Sequence, residues 1–482
     1  MTENTSAKTT INPSIRVTPA RGKEINPPLV LTALMLVIAA FQLNATMLSP
    51  AVGDIAEGLG TDVGTVGWST TIFLAVAAAL GIFIPPFADQ VGRKNALVFS
   101  LVFMTVGTLL VLFTNSVLCL MIGRALQGFC GATFALGNLT LRSILDQKRY
   151  GLYIGLMAAI NSGVAGVDTL IGGIFVDMWG YKSIFVVILI LELLALAAVY
   201  YAVPETSLAN PPKMDWSGAV TMTLALWSAN MALTFGFGNF GWGHAYTITA
   251  IVVAIVGGIA FVLVEKRTST PLVPLEELVQ RNTWALLGTT FFTLCSAFSI
   301  LLYLLPVLSL DEENGFGLSA TASALWFLTP FSLAGWATAP LVGRIAPSIG
   351  YRLVLRSGLA GSTILIAIMY VLGLNNHVLL AALAFLMGIT YAGVSNPVLN
   401  ILGVLYSSEK RPGMLPGLNS AAFNIGAGVG TGIMASILTH KTVSGDIMAG
   451  YEQNVLLALV LSILAFAFAM LLPAKESGEE KI

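Results

Sequence analysis

PFADQVGRKNA, residues 86–96, is a polar turn with one glycine and two bases, set between the apolar runs 66–86 and 95–113. A bilayer crossing takes about 20 mostly apolar residues, and Lys and Arg keep short connecting loops on the cytoplasmic side. The stretch therefore reads as the inner turn of a transmembrane hairpin. A second turn of this kind, VGRIAPSIGYRL (342–353), follows a later apolar run and again places a base within two positions of a glycine. Two such turns point to a chain built from two parallel halves.

Outward from these turns the sequence is apolar almost throughout. Of 482 residues 56% are hydrophobic and only 10% charged, against about 25% charged in soluble domains; the mean hydropathy is +0.86. The net charge of −1 gives no basis for binding nucleic acid. Cys119, Cys130 and Cys295 lie in apolar runs with no CxxC spacing, and three scattered His make no cluster, so neither a disulfide framework nor a metal site is expected. No cofactor motif is visible, and energy must come from an ion or solute gradient.

Fourteen spans are expected: 29–53, 66–86, 95–113, 118–140, 151–176, 183–203, 215–236, 246–265, 283–308, 319–342, 353–373, 378–400, 413–438 and 453–472. With both termini inside, 20 of the 23 Lys and Arg fall in cytoplasmic segments; Lys182 and Lys441 fall outside, and Arg124 lies in the membrane. This alternation supports both the count and a multi-pass plasma-membrane protein with cytoplasmic ends. The expected fold class is all-α: a cytoplasmic tail (1–28, with no cleavable signal peptide), a six-helix bundle (29–203), a linker with two inserted helices (204–282), a second six-helix bundle (283–472) and a tail (473–482).

The motifs resemble the major facilitator superfamily. ADQVGRK (88–94) is similar to its loop 2–3 signature through Asp89, Gly92, Arg93 and Lys94, with Pro85 in place of the leading Gly. IGRALQGFCGATF (122–134) is similar to its fourth-helix signature through Arg124, Gln127, Gly128 and Gly131. LNATMLSPAVGDIA (43–56), with the fourteen-span count, resembles the drug:proton antiporter branch. Three positions depart from the pattern: Asn44 replaces an acidic residue, Asp168-Thr169 replaces the Gly-Pro of the fifth-helix antiporter motif, and Pro347 replaces an Asp. The resemblance implies alternating access about a site between the bundles, lined by spans 1, 4, 9 and 12, with spans 7 and 8 outside it. Gln42, Asn44, Asn138, Tyr303, Asn396 and Asn400 are then the polar candidates for a substrate cavity. The implied partners are a small-molecule substrate, protons and the lipid bilayer, with a functional monomer.

The charges carry the chemistry. Asp89 with Arg93 and Lys94 can cap a neighbouring helix and pair across the bundle, a latch that breaks when the halves rock; the plainer reading is a topology signal. Arg124 keeps its charge, and placing it mid-span costs about 2.5–3.5 kcal/mol on insertion scales. At about 1.5 Å per residue, Arg124 lies roughly 9 Å, Asp168 roughly 12 Å, and Asn44 and Glu192 roughly 13 Å from the outer ends of their spans. Asp168 and Arg124 are therefore the expected pair, for proton coupling or as a fixed structural ion pair. Glu192 is a further coupling candidate, with packing as its alternative. Gly163, Gly166, Gly172 and Gly173 form a close-packing face on span 5, and NIGAGVGTGIMAS (424–436) lets helices approach in the same way. Asn419 and Asn424 read as interhelical hydrogen-bonding groups.

The leading functional reading is a proton-coupled exporter of amphipathic or drug-like molecules. The alternative, drawn from the broken antiporter motif, is a substrate-specific carrier, including a proton symporter for uptake of an organic solute. A membrane-embedded enzyme is disfavoured because no nucleophile, base or metal ligands converge.

Overall fold

The computed structural model describes residues 15–19, 24–48, 51–61, 63–113, 115–208, 215–237, 240–268, 271, 273–408, 411–444 and 447–473. Its long helices are α1 (Pro27–Thr46), α2 (Val63–Val91), α3 (Arg93–Phe113), α4 (Val117–Ile144), α5 (Gln147–Trp179), α6 (Lys182–Ala202), α7 (Trp216–Phe237), α8 (Ala245–Arg267), α9 (Arg281–Leu310), α10 (Ala324–Ile349), α11 (Tyr351–Leu372), α12 (His377–Leu405), α13 (Met414–Ser444) and α14 (Ile447–Met470). Among the described residues, 12 helices are long and apolar enough to cross a membrane; α5 and α7, of 33 and 22 residues, lie outside that set.

Local chemistry sets the boundaries. α1 starts on Pro27 and Pro28, with the Asn26 side chain accepting from Leu29 N–H, and α12 starts where the Asn376 side chain accepts from Val378 N–H and Leu379 N–H. The two glycine-base turns are shorter than the sequence suggests. α2 runs on to Val91 and α10 to Ile349, leaving one residue between consecutive helices: Gly92 at φ +95° and Gly350 at φ +99°. Only glycine takes these angles without strain. The turns reverse the chain within one residue, so the basic side chains that follow are held on helix ends.

α1 packs on α5 and α6, α3 on α4 and α6, and α9 on α13 and α14, while α11 joins α12 and α14. The two groups meet along α2–α13 and α5–α10. The α5–α10 seam is tight: a Cβ on Gly151 would strike the Gly343 carbonyl, and one on Gly155 the Ala339 carbonyl. α8 is mostly lipid-facing, with Ile248, Val252, Ile255 and Ile259 exposed. α7 departs from the expected outer position, since it packs against α2 and α13 as well as α8.

The all-α expectation also needs one correction. Ile15–Thr18 forms a strand, β1, antiparallel to β2 (Glu205–Leu208), in the register Ile15↔Leu208. Four-residue strands leave no periodicity for a sequence pattern to register. β2 brings Glu205 over the 92–95 turn, where its carboxylate accepts from Lys94 N–H and Asn95 N–H, both at 3.2 Å. These are orphan donors at the start of α3. Burial pushes the Glu205 carboxyl above its ordinary value, against the pull of those donors and of Thr206 N–H.

Candidate functional site: a neutral cavity beside a buried charge network

A cavity of about 510 Å³ lies between the two helix groups. α1 contributes Phe41, Gln42, Ala45 and Thr46; α5 contributes Asn161; α9 contributes Phe298 and Tyr303; α13 contributes Asn424 and Thr431. Phe331, Tyr391, Asn396 and Phe423 add aromatic and amide surface. Its described lining holds amides, hydroxyls and rings, and no charged side chain. π-helical turns at Leu294–Phe298, Ile300–Leu304 and Gly388–Ser395 locally widen α9 and α12 where Phe298, Tyr303 and Tyr391 face the space.

The lining reaches Thr46 on α1 and Ala435 on α13, and toward the other end of α13 the two halves touch. Asp89 Oδ2 accepts from Gly413 N–H at 2.9 Å, at the start of α13 in the other half. Arg93 lies 3.6 Å from Asp89 Oδ1 and donates to Leu139 O and the Ser143 hydroxyl. Arg142 donates to Val404 O, joining α4 to α12. Lys94 turns outward, donating to Tyr200 O at 2.8 Å. Thus Asp89 sits where the positive end of a helix dipole meets a base. Asp89→Asn is expected to keep folding and insertion, and its amide oxygen can still accept from Gly413 N–H, so the closure should weaken by about 1–1.5 kcal/mol, the difference between a charged and a neutral hydrogen bond. That shifts the open–closed ratio roughly tenfold. Cross-linking of cysteines placed at Ser143 and Val404 should slow accordingly, and an unchanged rate would show the turn to be a topology signal only.

Behind the cavity lies a buried network. Arg124 donates from Nη1 to Asn44 O and to Gln127 Oε1, both at 2.9 Å, and its guanidinium stacks 4.3 Å from the Phe73 ring centroid. Gln127 Nε2 donates to Thr108 Oγ1 at 2.9 Å. The Thr108 hydroxyl donates to Glu192 Oε1 at 2.8 Å, and Asn44 Nδ2 donates to the same oxygen at 3.0 Å. Arg124, Gln127, Thr108, Asn44 and Glu192 are each 0% exposed, so no part of the network is screened by water. Through Gln127 and Thr108 the donors run continuously from the cation to the carboxylate, which polarises those bonds cooperatively; at Asn44 the link is positional, with its backbone carbonyl held by Arg124 and its side-chain amide held on Glu192.

Asp168 belongs elsewhere. It accepts from the Thr46 hydroxyl, directly behind the cavity wall. The pairing expected from depth is thus not the one observed: Arg124's partners are neutral groups and a ring, and it reaches Glu192 through Gln127, Thr108 and Asn44. Of the six cavity candidates, Gln42, Tyr303 and Asn396 line the space. Asn44 is turned to Glu192, Asn400 donates back to Asn396 O at 2.9 Å, and Asn138 is buried within the first group. Gly172 is buried in α5, the helix that also carries Gly163, Gly166 and Gly173. Sequence reasoning missed Asn161, Asn230 and Thr431 as lining residues, and it assigned Asn424 to helix bonding, which it also performs by donating to Ser420 O. Their common signal was a polar residue near mid-span.

A model of the Major Facilitator Superfamily matches residues 34–361 and 287–482. The chain is 39% identical over 455 residues to a "Uridine/deoxyuridine transporter" of Lactococcus lactis subsp. cremoris, covering 92% of this chain and 94% of that one. It is 27% identical over 415 residues to "Multidrug resistance protein Stp" of Mycobacterium tuberculosis, covering 85% and 75%. Among solved structures it resembles the proton:xylose symporter XylE, at a TM-score of 0.65 and 13% identity over 94% of this chain and 98% of that one, a likeness of fold alone. The chain belongs to the major facilitator superfamily.

Proposed function

We propose that this member of the major facilitator superfamily is a substrate-specific carrier that takes up a neutral, nucleoside-like solute with protons. The observation that carries this reading is the cavity's chemistry. A cavity without charge offers a cationic drug no counter-ion, and burying an unpaired charge there is costly. Amides present donor and acceptor on one planar group, which suits the alternating N–H and C=O edge of a pyrimidine. Phe41, Phe298, Phe331, Tyr391 and Phe423 supply ring faces for a planar base. The 39% relative, named as a uridine/deoxyuridine transporter, supports the same class. This reading counts α5 and α7 as crossings too, takes the basic turns as cytoplasmic, and so puts the Asp89 turn inside and turns the cavity outward.

Coupling runs through α1. Asn44, which holds Glu192, lies between Gln42 and Thr46, which line the cavity. A solute that pulls on Gln42 or Thr46 rotates the same turn that carries Asn44, changing the hydrogen bonding that favours ionised Glu192. Glu192 is the proton site in this scheme, Arg124 its fixed counter-charge through the Gln127–Thr108 relay, and Asp89 with Arg93 the cytoplasmic latch.

Purified protein in proteoliposomes should accumulate radiolabelled uridine under an inward proton gradient, and should leave ethidium undisturbed. Proton-driven ethidium export without uridine uptake would overturn the assignment and favour the multidrug reading.

A further inference from the structure

We infer that the inserted helix α7 is part of the substrate site, with Asn230 a specificity-determining contact; this rests on reading the cavity as the substrate site. An inserted hairpin needs only an apolar exterior. α7 has one, with Trp216, Val220, Leu224 and Trp227 exposed along a single stripe. Toward its C-terminal end the helix is instead buried, at Ser228, Asn230, Met231 and Ala232, and Asn230 is on the cavity wall.

Two neighbours hold this part of the helix in place. Against α2, Trp68 packs on Phe235 at 5.4 Å, while Ala75 joins Met231 and Ala232 in a small apolar cluster. Against α13, the place of Asn230 is opposite Gly428, where a Cβ would stand 3.7 Å from the Asn230 amide nitrogen. The glycine run of α13 therefore has two faces. Gly426 and Gly430 let α9 approach closely, and Gly428 and Gly432 open onto the cavity, leaving room for a side chain from α7. Since α2 and α13 belong to opposite halves, α7 fills the seam between them and brings an amide to a ligand that both halves enclose. Held in one orientation by its neighbours, the Asn230 amide accepts from a uracil N3–H and donates to the adjacent C=O, a pattern that a cytosine edge reverses. A site built to hydrogen-bond its ligand discriminates strongly against analogues lacking the match.

The test uses the full chain in proteoliposomes. For Asn230→Ala, the KM for uridine is expected to rise about tenfold, the loss of one buried hydrogen-bonding group, with Vmax little changed and preference over cytidine reduced. Asn230→Gln keeps the amide and should retain more of that preference than the alanine variant. An unchanged KM and an unchanged uridine-to-cytidine ranking, in a protein whose wild type carries uridine, would overturn the inference while leaving the function intact. If the wild type carries no uridine, the substrate reading fails separately, and α7 is tested without it. With Cys119, Cys130 and Cys295 replaced by Ser, Asn230→Cys should react with an externally added charged methanethiosulfonate as Thr431→Cys does. Labelling at 431 without labelling at 230 would place α7 outside the cavity.

Discussion

An Arg124→Met variant is expected to transport at background while folding with wild-type thermal stability. The two effects separate because Arg124 is buried among neutral partners. Its guanidinium gains two hydrogen bonds and a ring face, the ring worth about 0.5–2 kcal/mol. Against this stands the desolvation of a full charge, several kcal/mol even after relaxation. Methionine fills similar volume with no charge to bury. It leaves Asn44 O and Gln127 Oε1 without their donor, at about 1–3 kcal/mol each. The opposing terms nearly cancel, so stability should change little. Function does not cancel, because Arg124 is the origin of the donor chain through Gln127 and Thr108 that ends on Glu192, and it also holds the Asn44 backbone whose side chain binds the same carboxylate. Arg124→Lys should recover little, since one ammonium cannot lie flat on Phe73 and also fork between Asn44 and Gln127. Thermal unfolding in detergent and uptake in proteoliposomes check both halves. A variant that loses stability and keeps proton-driven uptake would make Arg124 a structural residue.

The hydropathy pattern and the basic turns made most of the helix order legible, because a backbone in lipid must satisfy its own hydrogen bonds and an apolar run of about 20 residues does so as one continuous helix. Sequence depth also grouped Asn44, Arg124 and Glu192 in one layer, and the structure joins those three. Depth failed for Asp168 because the distance along a helix fixes height in the membrane and leaves azimuth free. α5 turns Asp168 toward Thr46 on α1, whereas α6 turns Glu192 toward Asn44. The cavity was legible only in part for the same reason: Gln42 and Asn44 are two positions apart on α1, about 200° around a helix, and one faces the cavity while the other faces the network. Asn230 was passed over because its helix reads as an insert, and nothing in a single sequence says which groove an insert fills. β1 was missed because its partner lies about 190 residues away.

Glu192→Gln is expected to collapse the accumulation of substrate to equilibrium while leaving exchange across the membrane. A gradient of one pH unit can sustain about tenfold accumulation by a carrier moving one proton per substrate, so the accumulation ratio should fall from about ten to one. Glutamine keeps the side-chain oxygen that accepts from Asn44 and Thr108, so the shape and both hydrogen bonds survive; only the exchangeable proton is lost. The variant then behaves as a carrier fixed in one protonation state, able to cycle with substrate on both sides but unable to draw on the gradient. Asp168→Asn is the comparison that gives this result meaning. The amide oxygen introduced there would still accept from the Thr46 hydroxyl at the cavity wall, so accumulation should persist and the effect should fall on KM. The reverse outcome, accumulation lost in Asp168→Asn and kept in Glu192→Gln, would move the proton site to α5. In that case Thr46, which touches both the carboxylate and the cavity, would replace Asn44 as the link between substrate and proton.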